Sequence, residues 1–321
     1  VADDLAIVYS PLHGTGHKLV PEVLRRLGLK KIYTVDEQMV IDGGFPTVEK
    51  PNPEYPAVFK LGIDIANRVG SDLIIATDPD ADRVGVAART KDGSFATITG
   101  NQMGALLIDY IITAYEETGT MPPEPYAVKT IVTSEMAAKI CAAHGVTMYN
   151  VLTGFKFIGE VIKNHDDVGD GHYLFGFEES YGYLKGTYAR DKDAVVASML
   201  IVEMASYYHK QGISLLTRME QLYQEHGFYR NALVNVAFEG EQGMHDMDRL
   251  MSGLRENPPT EIAGMKVVAC ADYGLRVATD FVTGDRTPLT LPKSNVLAYT
   301  LEGGAGLIIR PSGTEPKVKG Y

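Results

Sequence analysis

The run LIIAT, Leu73–Thr77, is apolar up to its final threonine and is followed at once by DPDADR. Five β-type residues without polar alternation are short for a buried helix and leave no face for water, so they form a buried strand. A chain built around such a strand is layered, with helices packed over a sheet. The residues before it agree. Leu5–Tyr9 is a second short apolar run, HKLVPEVLRRLG carries apolar residues at helical spacing, and KIYTV is again a strand, so the chain opens as a βαβ unit.

The pattern restarts further on. The Pro- and Gly-rich stretch Gly43–Pro56 reads as a loop leading into a helix that ends near Val69, and a longer helix spans roughly Gly100–Glu117. TGTMPPEP, Thr118–Pro125, breaks regular structure and serves as a linker. Beyond it come a strand (AVKTIV), a helix (SEMAAKICAAHG), a strand (VTMYNV) and two helices over about Asp193–Lys210 and Ser214–His226. From Phe228 the texture turns β-rich, with one polar helix near Gln242–Glu256 and strands MKVVAC, VLAYTL and GLIIR. The expected fold class is α/β: two similar βαβ-type α/β domains over residues 1–120 and 121–226, then a smaller α+β domain over 227–321. KVKGY stops inside a strand-like run, which leads us to expect a chain cut at that end.

Composition bounds the partners. Asp and Glu outnumber Lys and Arg by 41 to 30, a net charge of -11, which argues against nucleic acid or an anionic membrane as the main partner. The longest apolar stretch, around Ala105–Ala114, is too short to span a bilayer. VADDLAIVYS lacks the regions of a signal peptide, and Cys141 and Cys270 make neither a disulfide framework nor a metal-ligand spacing. A cytoplasmic location is therefore expected.

Four loops carry candidate chemistry. Asp78, Asp80 and Asp82 alternate just beyond a strand's carboxyl end, where α/β sheets place ligands, and can turn three hard oxygens onto one cation of the Mg²⁺ type. A calcium hand would need glycine and glutamate where Arg83 and Arg89 stand. Arg83 can neutralise the cluster or hold a phosphoryl oxygen, while a solvated acidic turn is the plainer alternative. GLIIRPSGTEPK delivers Arg310 to a turn bearing Ser312, Gly313 and Thr314, a set suited to a phosphate. LFGFEESYGYLKGTYARDKDA places paired glutamates and a serine after a strand, groups that suit sugar hydroxyls. LTGFKFIG is a glycine-bearing turn into a helix that holds Lys156. SPLHGTG lacks the ending of a phosphate-binding P-loop, and His13 reads as a packing histidine.

Taken in order, TDPDADR, TGFKFIG, GFEESYGY with RDKDA, and RPSGTEPK resemble the α-D-phosphohexomutase superfamily, in its phosphoglucomutase/phosphomannomutase branch, which includes phosphopentomutase-like enzymes. The resemblance runs over the whole chain. It implies an intramolecular phosphotransferase (an isomerase) that moves a phosphoryl group between C1 and C6, or C1 and C5, of a sugar phosphate. A phosphoserine and a sugar 1,6-bisphosphate, intermediate and activator, would take part. It implies four domains around a cleft, with Val1 at the start of the second; the chain would then lack the phosphoserine domain and be inactive alone. By resemblance, Asp78, Asp80 and Asp82 bind Mg²⁺, and Arg83 and Lys192 are catalytic. Thr153, Gly154, Glu178 and Ser180 approach the sugar, and Arg310, Ser312, Gly313 and Thr314 hold the phosphate that does not react. Tyr181–Tyr183 stand where some relatives carry a histidine. Phosphopentomutase, sugar-bisphosphate synthase, an aspartate-nucleophile phosphatase and a non-catalytic phosphosugar-binding protein are the alternatives.

Overall fold

The computed structural model describes residues 2–238, 242–312 and 317–321. The chain divides into two compact units, Val1–Tyr229 and Arg230–Tyr321. The first begins with β1 (Ala6–Ser10), α1 (Gly16–Leu27), β2 (Lys31–Thr34), α2 (Lys60–Val69) and β3 (Leu73–Thr77). Two strands that the sequence reading missed then follow, β4 (Val84–Arg89) and β5 (Phe95–Ile98). They complete a five-stranded sheet of order β2-β1-β3-β4-β5, in which β1 pairs in parallel with β2 and β3 while β4 and β5 return antiparallel.

Helix α3 (Gly100–Thr118) leads to the second sheet. Its start is fixed by a capping box, in which the Thr99 hydroxyl accepts the Gln102 N–H and the Gln102 side chain accepts the Thr99 N–H. Then come β6 (Pro125–Thr130), α4 (Met136–Ala143), β7 (Thr147–Val151), α5 (Phe155–Val168), β8 (His172–Glu178), β9 (Gly182–Leu184), α6 (Ala194–His209) and α7 (Leu215–His226). The sheet order is β7-β6-β8-β9, with β8 and β9 antiparallel and the others parallel. Both sheets follow one course: the first strand lies inside, crossovers go to either side of it, and a hairpin follows the third. The weak echo in the sequence is thus a repeated topology.

Period-two packing sorts the strand residues. Ile7, Tyr9, Ile75 and Val86 join a core shared with Phe175 and Phe177 of the second sheet and with α3 and α6, whereas Val8, Ile74 and Ala87 pack in a separate cluster. Leu106, Leu107, Ile108, Ile111 and Ile112 make α3 apolar on nearly every side, and each such side chain contributes about 1.5–3 kcal/mol relative to exposure. The apolar stretch noted in the sequence is this central helix, and among the described residues no helix is long and apolar enough to cross a membrane. Its one buried acid, Asp109, accepts the Tyr208 hydroxyl at 2.9 Å and the Arg218 guanidinium at 2.9 and 3.0 Å, which ties α3 to α6 and α7.

The second unit is antiparallel. Its elements are β10 (Val234–Ala237), α8 (Gly243–Glu256), β11 (Glu261–Ile262), β12 (Met265–Asp272), β13 (Val277–Asp280), β14 (Arg286–Pro288), β15 (Leu297–Leu301), β16 (Gly306–Pro311) and β17 (Lys317–Gly320). The sheet runs β10-β17-β16-β15-β12-β13-β14, with β11 beside β12, and Met251 of α8 packs on Val267, Leu297 and Tyr299.

A side chain at Gly104 of α3 would meet Phe177 of β8, because an added Cβ would lie 2.0 Å from its ring. Gly104→Ala is expected to lower the urea midpoint, since overpacking costs about 1–3 kcal/mol against at most about 1 gained in helix propensity. An unchanged midpoint would mean that the Phe177 ring yields freely.

Candidate functional site

Thr77 pairs with Val84, so Asp78–Arg83 forms a tight hairpin loop between β3 and β4. Asp78 organises it. One of its carboxylate oxygens accepts the Asp82 and Arg83 N–H groups at 3.1 and 2.8 Å, and its backbone N–H donates to the Arg83 carbonyl at 3.2 Å. Ala81 takes the left-handed conformation at φ 58°, a strain that closes the loop. Oxygens of Asp78, Asp80 and Asp82 come within 4.8 Å of one another.

SPLHGTG buttresses this hairpin. A Cβ at Gly14 would lie 2.3 Å from Pro79 Cα, and Thr15 gives both its backbone N–H and its hydroxyl to the Pro79 carbonyl. His13 is buried, with Nδ1 at 2.9 Å from the Val40 carbonyl and Nε2 at 2.9 Å from the Thr47 hydroxyl, so it is the packing residue expected.

Burial pushes the Asp78 carboxyl up to about 7; the charges of Asp82 and Asp80 add to the push, against the Arg83 N–H. Two cations face the cluster. Arg83 lies 3.9 Å from Asp78 and 3.7 Å from Asp82, and Lys192 lies 2.9 Å from Asp82 and 3.3 Å from Asp191. Burial opposes the Lys192 charge, but its bonds to Asp82 and Asp191 outweigh it and hold the pKa above the ordinary lysine value. The donor set is three hard oxygens in mutual reach, one of them buried and destabilised as an anion. That set fits Mg²⁺.

The polar loop of the second sheet is the equivalent hairpin, between β8 and β9. Glu178 is buried at its start, where it accepts the Gly154 N–H at 2.8 Å, and Gly154 has φ 123°, which favours glycine at the entry to α5. The neighbouring Thr153 hydroxyl is buried with no partner among the described residues. Ser180 sits in the same hairpin loop, half-buried. Lys156 is instead exposed, over the Phe157 ring, and Arg190 pairs with Asp166.

The two hairpins are joined. Val84 N–H donates to the Tyr181 carbonyl at 3.1 Å, Arg83 and Gly182 form an antiparallel bridge, and Ala194 N–H at the head of α6 reaches the Ala81 carbonyl at 3.0 Å. The Lys192 chain passes so close to Gly182 that a Cβ there would lie 2.2 Å from its Cδ. Asp78, Asp80, Asp82, Arg83 and Lys192 therefore form one group, and Thr153, Gly154 and Glu178 a second. In the other unit Arg310 lies on β16, its Nε buried without a partner among the described residues, and Ser312 N–H donates to the Lys317 carbonyl at 2.8 Å. Gly313 and Thr314 lie outside the described residues.

Sequence reasoning missed Glu54, whose carboxylate is 3.0 Å from Arg83 Nη1. Its only signal was an acid in the proline-studded stretch PNPEYP.

Two α/β layers of one topology are thus joined at an acidic and a polar hairpin. Residues 2–93 match the family described as phosphoglucomutase/phosphomannomutase, alpha/beta/alpha domain II, and residues 99–226 match domain III. The chain belongs to the α-D-phosphohexomutase superfamily. It is 38% identical over 320 residues to the phosphoglucomutase of Staphylococcus saprophyticus, covering 100% of this chain and 57% of that protein. The chain thus spans little more than half the length of the curated relatives it matches. Among solved structures, the parafusin phosphoglucomutase of Paramecium in its open form aligns with a TM-score of 0.65 at 19% identity, over 99% of this chain and 52% of that one. Aspergillus fumigatus N-acetylphosphoglucosamine mutase in complex with GlcNAc-6P and magnesium aligns with a TM-score of 0.53 at 14% identity, over 100% and 58%.

Asp78 yields a pH prediction for metal-free protein. Its folded pKa, about 7, exceeds the ordinary 3.8, so between those values the folded state keeps a proton that the unfolded chain has lost. Stability then falls as pH rises through that window. In EDTA, unfolding free energy is expected to fall more steeply from about pH 4 to about pH 7 in wild type than in Asp78→Asn, by urea titration at each pH. Parallel curves would contradict the assignment.

Proposed function

We propose that the chain works in a phosphoglucomutase/phosphomannomutase-type enzyme. It moves a phosphoryl group between C1 and C6 of a hexose phosphate through a phosphoserine and a sugar bisphosphate, in the cytoplasm. The observation that carries this reading is the acidic hairpin, with oxygens within 4.8 Å, bonded through its backbone to the hairpin of Glu178 and Ser180. The three-domain division at residues 1–120, 121–226 and 227–321 belongs to the same proposal.

Asp78, Asp80 and Asp82 would hold Mg²⁺, which when bound supplies a Lewis acid that offsets charge on the transferring phosphoryl group. Arg83 presents a planar guanidinium to a phosphoryl oxygen, and Lys192 keeps a positive charge at the joint of the hairpins. Glu178 accepts a sugar hydroxyl, and Ser180 and Thr153 can each donate or accept. The buried, unpartnered Thr153 hydroxyl supports that role, since such a group otherwise costs about 1–3 kcal/mol. These groups read hydroxyls rather than charge, so they can serve the sugar in either orientation during the two transfers. Arg310, Ser312, Gly313 and Thr314 take a substrate phosphate, a role supported by the Arg310 Nε, which is buried without a partner among the described residues.

A coupled assay of the full-length protein over glucose, mannose, ribose and deoxyribose 1-phosphates tests the reading, and absence of turnover on all four overturns it. Asp80 is exposed and makes no structural bond among those described, so Asp80→Asn is expected to abolish turnover while leaving the thermal midpoint nearly unchanged. Near-normal turnover would remove the cation from the mechanism. Arg310→Ala is expected to raise KM about tenfold or more, because a charge-assisted hydrogen bond contributes about 1.5–3 kcal/mol. An unaltered KM would take Arg310 out of substrate binding.

A further inference from the structure

We propose that Glu54 is a positioning residue that holds Arg83 out of the carboxylate cluster and so keeps the cluster open to a divalent cation. The inference rests on the cation site proposed above. Arg83 is the natural competitor for that site, because its Nε already lies 3.7 Å from Asp82 and 3.9 Å from Asp78. Both separations exceed a hydrogen bond, and a small swing of the guanidinium would close them and neutralise the carboxylates with an internal cation. What opposes that swing is the bond from Arg83 Nη1 to Glu54, at 3.0 Å.

Glu54 is placed by a built loop, not by a free side chain on a surface. Pro51, Pro53 and Pro56 stiffen the segment, and Asn52 accepts the Glu54 N–H on its side chain at 2.9 Å and the Tyr55 N–H on its carbonyl at 3.0 Å. Pro53 is buried against β4, where a Cβ on Gly85 would come 2.7 Å from the proline ring and 2.9 Å from its carbonyl oxygen. Glycine at position 85 therefore lets the loop lie flat on the strand that leads out of the acidic hairpin. Both side chains of the pair are about one-third exposed, 33% for Arg83 and 30% for Glu54. Glu54 also lies close enough to the second hairpin that, after burial, its field helps to raise the Tyr181 hydroxyl to about 12. Glu54 thus takes the Arg83 Nη1 at hydrogen-bond distance while the Nε stays beyond it from both aspartates.

A double-mutant cycle on cation binding tests this without relying on turnover. Mn²⁺ is titrated by electron paramagnetic resonance into the wild-type chain, Glu54→Gln, Arg83→Gln and the double variant. Glu54→Gln is expected to weaken Mn²⁺ binding about fivefold or more, within the usual range for coupled neighbours. Arg83→Gln should bind at least as tightly as wild type, and the double variant should match Arg83→Gln, because no competitor is left to restrain. Equal weakening by Glu54→Gln with and without Arg83 would reduce Glu54 to a general field effect and overturn the proposal, as would no weakening at all. If wild type and Arg83→Gln both fail to bind Mn²⁺, the cation site itself is wrong and this inference falls with it.

Discussion

Backbone hydrogen bonds between two hairpins set the geometry of the first unit. Val84 N–H to the Tyr181 carbonyl binds the acidic hairpin of one sheet to the polar loop of the other, and Ala194 N–H to the Ala81 carbonyl binds it to the head of α6. Side chains alone could not give such registration, because long charged chains hold position weakly at a surface. Backbone contact demands close approach, and close approach demands small residues. Gly14 lies against Pro79, Gly100 would place a Cβ 1.9 Å from the Glu179 carbonyl oxygen, and Gly182 admits the Lys192 chain. The glycines near the loops are there to let backbone and side chain touch.

That registration also solves an electrostatic problem. Three carboxylates on one short hairpin repel each other, and the buried member, Asp78, is pushed up to about 7 by desolvation first and by its neighbours after that. Without compensation the loop would open. Compensation comes from the N–H groups of Asp82 and Arg83 turned onto Asp78, from the Arg83 guanidinium 3.7 Å from Asp82, and from the Lys192 ammonium of the segment before α6, 2.9 Å from Asp82. These contacts keep oxygens of the three carboxylates within 4.8 Å of one another, a preformed set of hard donors of the kind that suits a divalent cation.

The sequence made the layered fold legible because its signals are local. An unbroken apolar run marks Leu73–Thr77 as buried, helical spacing marks α1, and alternate aspartates directly after a strand mark the acidic loop. What stayed hidden depends on distant pairing. VGVAAR carries glycine and alanine where a strand normally shows bulk, because Gly85 must accommodate Pro53; that is why β4 went unread and the acidic loop was not seen to be a hairpin. Glu54 was invisible for the same reason, since its partner lies 29 residues away. His13 was read correctly as packing, but nothing in SPLHGTG pointed to the acidic hairpin that the loop supports. Its service to Pro79, 64 residues from Thr15, leaves no trace in local composition.

The repeated topology explains why the candidate site has two unlike halves. In each sheet the first strand lies inside and the crossovers diverge from it, so the strand order reverses there, the place where open α/β sheets gather ligand-binding loops. The hairpin after the third strand is therefore available twice, once as DPDADR and once as EESY. Facing copies of one loop position can be charged differently at little structural cost, because each is supported by its own sheet. The first has become a cluster of hard anions suited to an ion. The second mixes one buried carboxylate with hydroxyls, which suits neutral groups that both give and receive hydrogen bonds. Lys192, from the segment between β9 and α6 of the second sheet, carries a positive charge to Asp82 of the first.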